Sequence, residues 1–336
     1  MVLFAEALAV VPSLIYLFVL NAIDRYEKEP WTILLACVGG GAVLAPFLSI
    51  GLVALAGRPA ELTPSLAPGA GGGDPFVAVV QELIKGAILV LLIRSVRSEF
   101  DDVLNGVVYG AALGAGFAAT ETFVYALGGT GGLEPGTMLA LLVSGLNHAF
   151  YGGVAGAIMG FGRRMGERRL EWLVAVYAIL TAALLHALHD ALPAIMARLV
   201  DRPDAALGVL TRLIADGVNV LGLVLLAVAV VFAWRREGRV VRDQLRDEVD
   251  SGVVPLTDYE ALPYARRRLS RQRELYRSGG LGGVRTQRRI YATEGELAFH
   301  KWRLTARRRH RPDPSRTDEL RAEIARLIAL LTEERR

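Results

Sequence analysis

Residues 103–127 read VLNGVVYGAALGAGFAATETFVYAL, and the only charged side chain in this stretch is Glu121. A helix needs about 20 mostly apolar residues to cross the hydrocarbon core of a bilayer. The stretch is long enough, so it predicts a membrane-spanning helix that carries a carboxylate. A charged group facing lipid is costly, and we therefore treat this carboxylate as a candidate functional residue.

The chain on either side of this stretch has the same apolar character up to about Trp234. It has 336 residues, of which 53% are hydrophobic, and this composition is typical of membrane proteins. The apolar segments long enough to span a bilayer are 3–21, 33–56, 76–94, 103–127, 136–161, 172–197 and 213–234. We therefore predict an all-α fold, a polytopic membrane helix bundle of about seven transmembrane helices.

The distribution of charge divides the chain into two predicted domains. Residues 1–235 form an integral membrane domain, and residues 236–336 form a basic, partly helical cytosolic tail that ends in an amphipathic helix. Basic residues follow the first, third, fifth and seventh predicted helices, among them Arg25, Lys28, Arg94, Arg97, Arg163, Arg164, Arg235 and Arg236. The positive-inside rule then places the N-terminus outside the cell membrane and the tail in the cytosol.

The net charge and the cysteine content exclude several classes. The net charge of +4 is modest, and no nucleic-acid-binding module accompanies it, so the expected partner of the arginines is the lipid bilayer and no nucleic acid is expected. Cys37 is the only cysteine, so no disulfide can form within the chain. The sequence does not indicate an oligomeric state.

Several polar side chains lie inside the predicted membrane helices. They are Glu82, Lys85, Glu121, His148, His186, His189 and Asp190. Together they would cost on the order of 10 kcal/mol if they faced lipid. We therefore expect them to face one another or a watery cavity in the interior of the bundle.

Glycines recur every fourth residue in the fourth and fifth predicted helices, at Gly106, Gly110, Gly114, Gly152 and Gly156. Small residues at this spacing let two helices approach closely. Glu121 lies on the glycine face of the fourth helix, and His148 lies on the glycine face of the fifth. Both side chains are therefore predicted to point into helix–helix seams.

Spacing within single helices predicts two further pairs. Glu82 and Lys85 are three residues apart and can form an ion pair, in which Lys85 only neutralises the carboxylate. His186 and Asp190 are four residues apart on one face of the sixth helix. His189 is either part of the same site or a histidine that only packs between helices.

These groups support two kinds of chemistry. A carboxylate beside an imidazole can hold and deprotonate a water, while a second imidazole with an acid stabilises an oxyanion. Alternatively Glu121, His148 and His186 form a two-histidine, one-carboxylate set that binds Zn²⁺. The HExxH motif of many zinc proteases is absent from the sequence, so the hypothesis of a zinc site lacks its most specific sequence signal.

Five motifs in order resemble the PrsW family of intramembrane proteases, relatives of the CAAX-prenyl-protease and bacteriocin-processing (Abi) group. They are DRYEKEPW at 24–31, QELIK at 81–85, DDVLNGVVYGAALGAGFAATET at 101–122, LNHAFYGG at 146–153 and LHALHD at 185–190. The resemblance implies hydrolysis of a peptide bond in or near the membrane, in a single-pass regulatory protein such as an anti-sigma factor.

The resemblance also implies roles for individual residues. The residues that match catalytic positions are Glu82, Glu121, His148, His186 and Asp190, and the supporting residues are Gln81, Lys85, Thr122 and His189. Two positions depart from the family pattern: Gln81 stands where the first glutamate of a pair is usual, and Thr122 stands where asparagine is usual.

Three hypotheses about function stay open, and Gln81 bears on the first two. A glutamine amide does not take up a proton near neutral pH, so it cannot act as a general base. Either Glu82 or Glu121 takes over that role, or the chain is an inactive relative that binds membrane proteins as a scaffold. A proton- or cation-coupled transporter is a third possibility, against which the sequence has no inverted repeat.

Overall fold

The computed structural model describes residues 2–23, 30–58, 74–96, 100, 102–128, 135–165, 167–199, 205–305 and 313–334. In these ranges all regular structure is helical and no strand occurs, which confirms the predicted all-α class. The DRYEKE part of the first motif, the basic residues Arg25, Lys28 and Arg97, and the loop 59–73 lie outside the described residues.

The helices follow one another along the chain with the bounds α1 Val2–Ile23, α2 Trp31–Gly39, α3 Ala45–Leu55, α4 Pro75–Ser95, α5 Val103–Gly128, α6 Pro135–Arg164, α7 Arg168–Leu199, α8 Ala205–Asp250, α9 Leu256–Ala261, α10 Ala265–Thr305 and α11 Ser315–Glu333. A π-helical turn, Gly40–Leu44, joins α2 to α3 so that the two form one continuous helix.

Each of the seven predicted segments coincides with a helix of the structure. In the described part of the chain, 5 helical stretches are long and apolar enough to cross a membrane: Trp31–Leu55, Pro75–Ser95, Val103–Leu127, Arg169–Leu192 and Leu213–Asp250. Val10–Ile23 in α1 is a shorter apolar stretch, and α6 is not among the five. A bundle with several membrane helices is therefore established, and seven crossings stay a prediction.

The chain forms two compact units, one up to Val230 and one from Val231 onward. The membrane domain and cytosolic tail predicted on either side of residue 235 stay a prediction. In the first unit α5 is the central helix, and 78% of its most apolar stretch is buried. It packs against α1, the α2–α3 helix and α6. Residues 103–127 thus lie in the helix at the centre of this unit.

Glycines form the closest helix contact of the first unit, between α5 and α6. A Cβ on Gly106 would overlap the backbone carbonyl of Gly156, and one on Gly110 would overlap that of Gly152. A Cβ on Gly114 would meet the carbonyl of His148 in the same way. Because only hydrogen fits at these positions, the two backbones lie against each other and their relative register is fixed.

The second unit has its own apolar core. Residues of α11 that recur at helical spacing, Leu320, Ile324, Leu327 and Leu331, are buried there. They pack with residues of α8, α9 and α10, including Leu245, Ala261, Leu275 and Leu297. The amphipathic helix predicted at the C-terminus is therefore a core-forming element of this unit.

Glu294 is a buried carboxyl in the core of the second unit. It is 0% exposed, and neither of its carboxyl oxygens has a hydrogen-bond partner among the described residues. Burial raises the pKa of Glu294 well above its usual range, and the nearby Asp258 carboxylate adds to the increase. The folded unit therefore holds a proton that the unfolded chain releases above pH ~4.3.

The stability of the second unit is therefore expected to fall as the pH rises above ~4.3 and toward the raised pKa of Glu294. Glu294→Gln removes this titration and should stabilise the unit by about 1–3 kcal/mol at pH 8, with no gain below pH ~4. Hydrogen exchange of α10 in the full-length protein, converted to opening free energies at each pH, measures the effect. Glu296→Gln, at a half-exposed position on the same helix, is the control. Equal opening energies of wild type and Glu294→Gln at pH 8 would contradict the prediction.

Candidate active site

Three buried side chains from three helices meet in the interior of the first unit. Glu82 lies on α4, His148 on α6 and His186 on α7. One ligand atom from each of them lies within 4.8 Å of the others. A carboxylate and two imidazoles on three different helices thus converge on one point, which the sequence predicted only as a shared interior.

Lys85 carries a positive charge into the middle of this group. Its Nζ lies 2.5 Å from Glu82 Oε1 and 3.1 Å from His148 Nδ1. The ammonium also lies 4.6 Å from the centre of the Phe117 ring, where a cation–π contact stabilises it. The predicted pairing of Glu82 with Lys85 is present, but the lysine also contacts a histidine of a second helix.

The contact with Lys85 determines the tautomer of His148. An ammonium group can only donate hydrogen bonds, so Nδ1 of His148 accepts and Nε2 carries the proton. His148 Nε2 then donates to Glu121 Oε2, at a distance of 2.8 Å. The glutamate of α5 is therefore paired with the histidine of α6. The glycine contacts fix the register between these two helices, and the Glu121 side chain leans toward the N-terminus of its own helix, which brings it to His148.

His186 has a matching arrangement. Its Nδ1 donates to Glu82 Oε1 at 2.9 Å, and its Nε2 lies 3.6 Å from Asp190 Oδ2. The ring stacks on Tyr151, with ring centres 4.7 Å apart and an interplanar angle of 21°. Both imidazoles thus direct Nδ1 toward the Glu82–Lys85 pair and Nε2 toward a second carboxylate.

The carboxylates of the site differ in accessibility. The Glu121 side chain is 17% exposed, whereas that of Glu82 is 2% exposed. The Asp190 side chain, at 15%, resembles Glu121. A water molecule can therefore reach Glu121 more readily than Glu82, which is enclosed by Lys85 and His186.

The structure also locates the predicted supporting residues. Gln81 is half-buried on α4, and the hydrogen bonds of the site run through its neighbour Glu82. Thr122 is buried on α5. His189 lies between two carboxylates, with Nδ1 at 3.1 Å from Asp190 Oδ1 and Nε2 at 2.9 Å from Asp216 Oδ1.

Sequence reasoning missed three polar residues of this region. Asn147 Nδ2 donates to Asp216 Oδ1 at 3.3 Å, and Asn219 Nδ2 donates to the Tyr151 hydroxyl at 2.6 Å. Asp216 met the criterion that identified Glu121, because it is a carboxylate inside a predicted membrane helix. Asn147 and Asn219 are uncharged, and a search for ionisable groups does not find them.

The donor set fits a divalent metal such as Zn²⁺. Two imidazoles and one carboxylate are a common catalytic zinc set, and metal-ligating histidines typically direct their second nitrogen to a carboxylate, as His148 and His186 do. The residues that converge are Glu82, His148 and His186, whereas the sequence prediction had Glu121 in place of Glu82. Glu121 lies on the Nε2 side of His148, away from the convergence point. A metal bound there would displace the Lys85 ammonium from Glu82 and His148.

Comparison with known proteins gives a consistent result. The chain is 29% identical over 174 residues to a protein named Protease PrsW from Bacillus subtilis (strain 168), a match that covers 50% of this chain and 72% of that protein. It is 28% identical over 170 residues to Protease PrsW from Geobacillus kaustophilus (strain HTA426), which covers 50% and 69%. A third match is 33% identical over 94 residues, to Protease PrsW from Halalkalibacterium halodurans, and covers 28% and 41%.

No solved structure matches the chain. The family model described as PrsW family intramembrane metalloprotease matches residues 29–234, a range that includes every predicted site residue and all helices of the first unit except α1. On this match, the chain belongs to the PrsW family of intramembrane metalloproteases.

Proposed function

We propose that the chain hydrolyses a peptide bond of a membrane-anchored protein and that Glu121 activates the attacking water. The observation that carries the proposal is the hydrogen bond between Glu121 and His148, 2.8 Å long, beside the group formed by Glu82, Lys85 and His186. Glu121 is the more accessible of the two glutamates of the site, with 17% of its side chain exposed against 2% for Glu82. It is therefore better suited than Glu82 to accept a proton.

The chemistry assigned to these residues follows from their positions. Glu121 takes a proton from water, and the oxygen of that water attacks the carbonyl carbon of the scissile peptide bond. We assign the stabilisation of the oxyanion charge to the Lys85 ammonium and the His186 ring, which both contact Glu82 beside the Glu121–His148 pair. Glu121 then returns the proton to the leaving amine as the carbon–nitrogen bond breaks. His148 holds the Glu121 carboxylate in place throughout.

The metal requirement is a separate part of the proposal. Glu82, His148 and His186 are the residues that would hold Zn²⁺, which would supply Lewis-acid polarisation and a more acidic water when bound. Glu121 and Asp190 would then orient the two histidines. The donor set and the family description support this part of the proposal.

The proposed setting is the cell membrane, with the N-terminus outside and the tail in the cytosol. The positions of the basic residues along the sequence support this topology. The proposed substrate is a single-pass, membrane-anchored regulatory protein of the anti-sigma-factor type. The resemblance of the motifs to the family supports this substrate class.

We expect purified protein in detergent or nanodiscs to cleave tagged single-pass membrane proteins, and His148→Ala to abolish cleavage. His148 contacts both Lys85 and Glu121, so its loss disconnects the two halves of the site. A chelator should stop cleavage if a metal is required, and added Zn²⁺ should restore it. Glu171→Gln, an acidic residue of α7 in an ion pair with Arg163, is the control for a general effect of charge removal.

Gln81 supports a second candidate function, an inactive relative that binds membrane proteins. The Gln81→Glu variant separates the two candidates in the same assay. If wild type cleaves, Gln81 does not prevent catalysis. If only Gln81→Glu cleaves, the natural role of the chain is binding.

A further inference from the structure

The site described above is closed. Glu82, His148 and His186 are each 6% exposed or less. A peptide bond can reach these groups only if two neighbouring helices separate. Entry of a substrate therefore requires one of the helix–helix seams around the site to open.

The seam between α5 and α6 is not suited to opening. The glycine contacts there put backbone against backbone along several turns, and they fix the Glu121–His148 pair.

The α8 helix is much less buried than its neighbours. Only 11% of its most apolar stretch is buried, compared with 33% in α7 and 39% in α4. Among the described membrane helices with such a stretch, α8 is the least buried.

The contact surface of α8 in the first unit is one narrow stripe. Among the described side chains of α8 up to Val230, the buried ones are Thr211, Ala215, Asn219 and Val230. The opposite side has a row of large exposed apolar residues, among them Leu213, Val218, Leu221 and Leu225. At two glycines between α6 and α8 the neighbour is a side chain and not backbone: Leu226 lies against Gly153, and Phe150 lies against Gly222. Such contacts can separate without breaking a backbone interface.

The polar contacts of α8 lie directly beside the site. Asp216 binds His189 and Asn147, the residues adjacent in sequence to Asp190 and His148. Asn219 binds the Tyr151 hydroxyl, and the Tyr151 ring stacks on His186. Separating α8 from α6 and α7 therefore exposes the site from the side that carries His186 and Asp190.

We infer that the substrate's transmembrane segment enters and docks at the seam between α8 and the α6–α7 pair, an inference that rests on the proposed function. The occupant is a single apolar helix, since the described residues along this part of α8 are mostly apolar, such as Leu221, Leu223 and Leu226. The substrate helix unwinds near its cleavage site. Its free backbone groups then form hydrogen bonds with His189, Asn147 and Tyr151, which Asp216 and Asn219 no longer contact. The position of α8 thus determines whether a membrane-embedded substrate reaches Glu121.

A reversible crosslink across the seam tests the inference. The double variant Gly153→Cys/Leu226→Cys, in a Cys37→Ser background, joins α6 to α8 on oxidation. The matched control Gly162→Cys/Val174→Cys joins α6 to α7 at positions in side-chain contact away from the site. We expect oxidation of the first pair to slow cleavage of a tagged single-pass protein at least tenfold, with recovery on reduction and no change in the control pair. Equal cleavage by the oxidised and reduced forms of the first pair would overturn the inference.

A binding measurement keeps the inference testable if the crosslinked protein folds poorly or if the chain does not cleave. A photoreactive amino acid is placed at Leu223, which is half-buried in the seam, or at Leu180, which is exposed on α7. With the Glu121→Gln substitution to prevent turnover, the tagged single-pass protein should crosslink to position 223 and not to position 180. Crosslinking at 180 alone, or at neither position, would overturn the docking site. Crosslinking at 223 without cleavage by wild type would contradict the proposed function and leave the docking site supported.

Discussion

Glu121→Gln lowers kcat by about 1,000-fold or more, whereas the folded structure is retained. A positioned general base contributes about 10²- to 10⁴-fold to a rate, and Glu121 is the carboxylate that His148 holds in place. The amide of glutamine still accepts a hydrogen bond from His148, so the α5–α6 contact is preserved. Cleavage kinetics of wild type and variant, with thermal unfolding of both, measure the two parts of this prediction.

The magnitude of the loss distinguishes two roles of Glu121. If the carboxylate only orients His148 as a metal ligand, its loss costs about 10- to 100-fold in metal affinity or activity, and excess Zn²⁺ restores cleavage. If the carboxylate is the base, the loss is larger, metal does not rescue it, and the acid limb of the pH–rate profile changes. A loss below 100-fold that Zn²⁺ reverses would therefore refute the assignment of Glu121 as the base.

Glu82→Gln provides the comparison for that experiment. Glu82 is buried and neutralises the Lys85 ammonium, so its removal leaves a buried charge without its ion-pair partner. Breaking a buried ion pair in this way costs about 3–5 kcal/mol. Unlike Glu121→Gln, this variant should lose thermal stability together with activity, which identifies Glu82 as a residue that holds the site together.

Gly110→Leu destabilises the first unit by about 3 kcal/mol or more and abolishes cleavage. A side chain at this position would overlap the backbone carbonyl of Gly152, and backbone cannot move aside as a flexible side chain can. The cost therefore reaches or exceeds the upper end of the usual range for overpacked interiors. The helices α5 and α6 would have to separate, and this separation breaks the Glu121–His148 pair.

Gly51→Leu is the matched control for Gly110→Leu. It makes the same chemical change in a helix of the same unit, but a Cβ at Gly51 meets no atom within 4 Å. Thermal unfolding in detergent should show a lower midpoint for Gly110→Leu and little change for Gly51→Leu. Equal midpoints for the two variants would contradict the role assigned to the glycine seam.

The sequence predicted the fold class and named most of the polar residues that converge in the candidate site. Long apolar segments require helices in a bilayer, because no other open structure satisfies the backbone hydrogen bonds there. The cost of charge in lipid required Glu82, Glu121, His148 and His186 to face the interior. Spacing within one helix also predicted the contacts of Glu82 with Lys85 and of His186 with Asp190, since helix geometry alone brings such residues together.

The tertiary structure alone decided how these groups pair across helices. Contacts between helices depend on the rotation and register of each helix against its neighbour, which spacing along one segment does not specify. The backbone contact of the α5 and α6 glycines sets this register for Glu121 and His148, whereas the packing of α4 against α7 brings Glu82 to His186. The same reason applies to Asp216: its carboxylate is visible in the sequence, but only the packing of α8 against α6 and α7 brings it to His189.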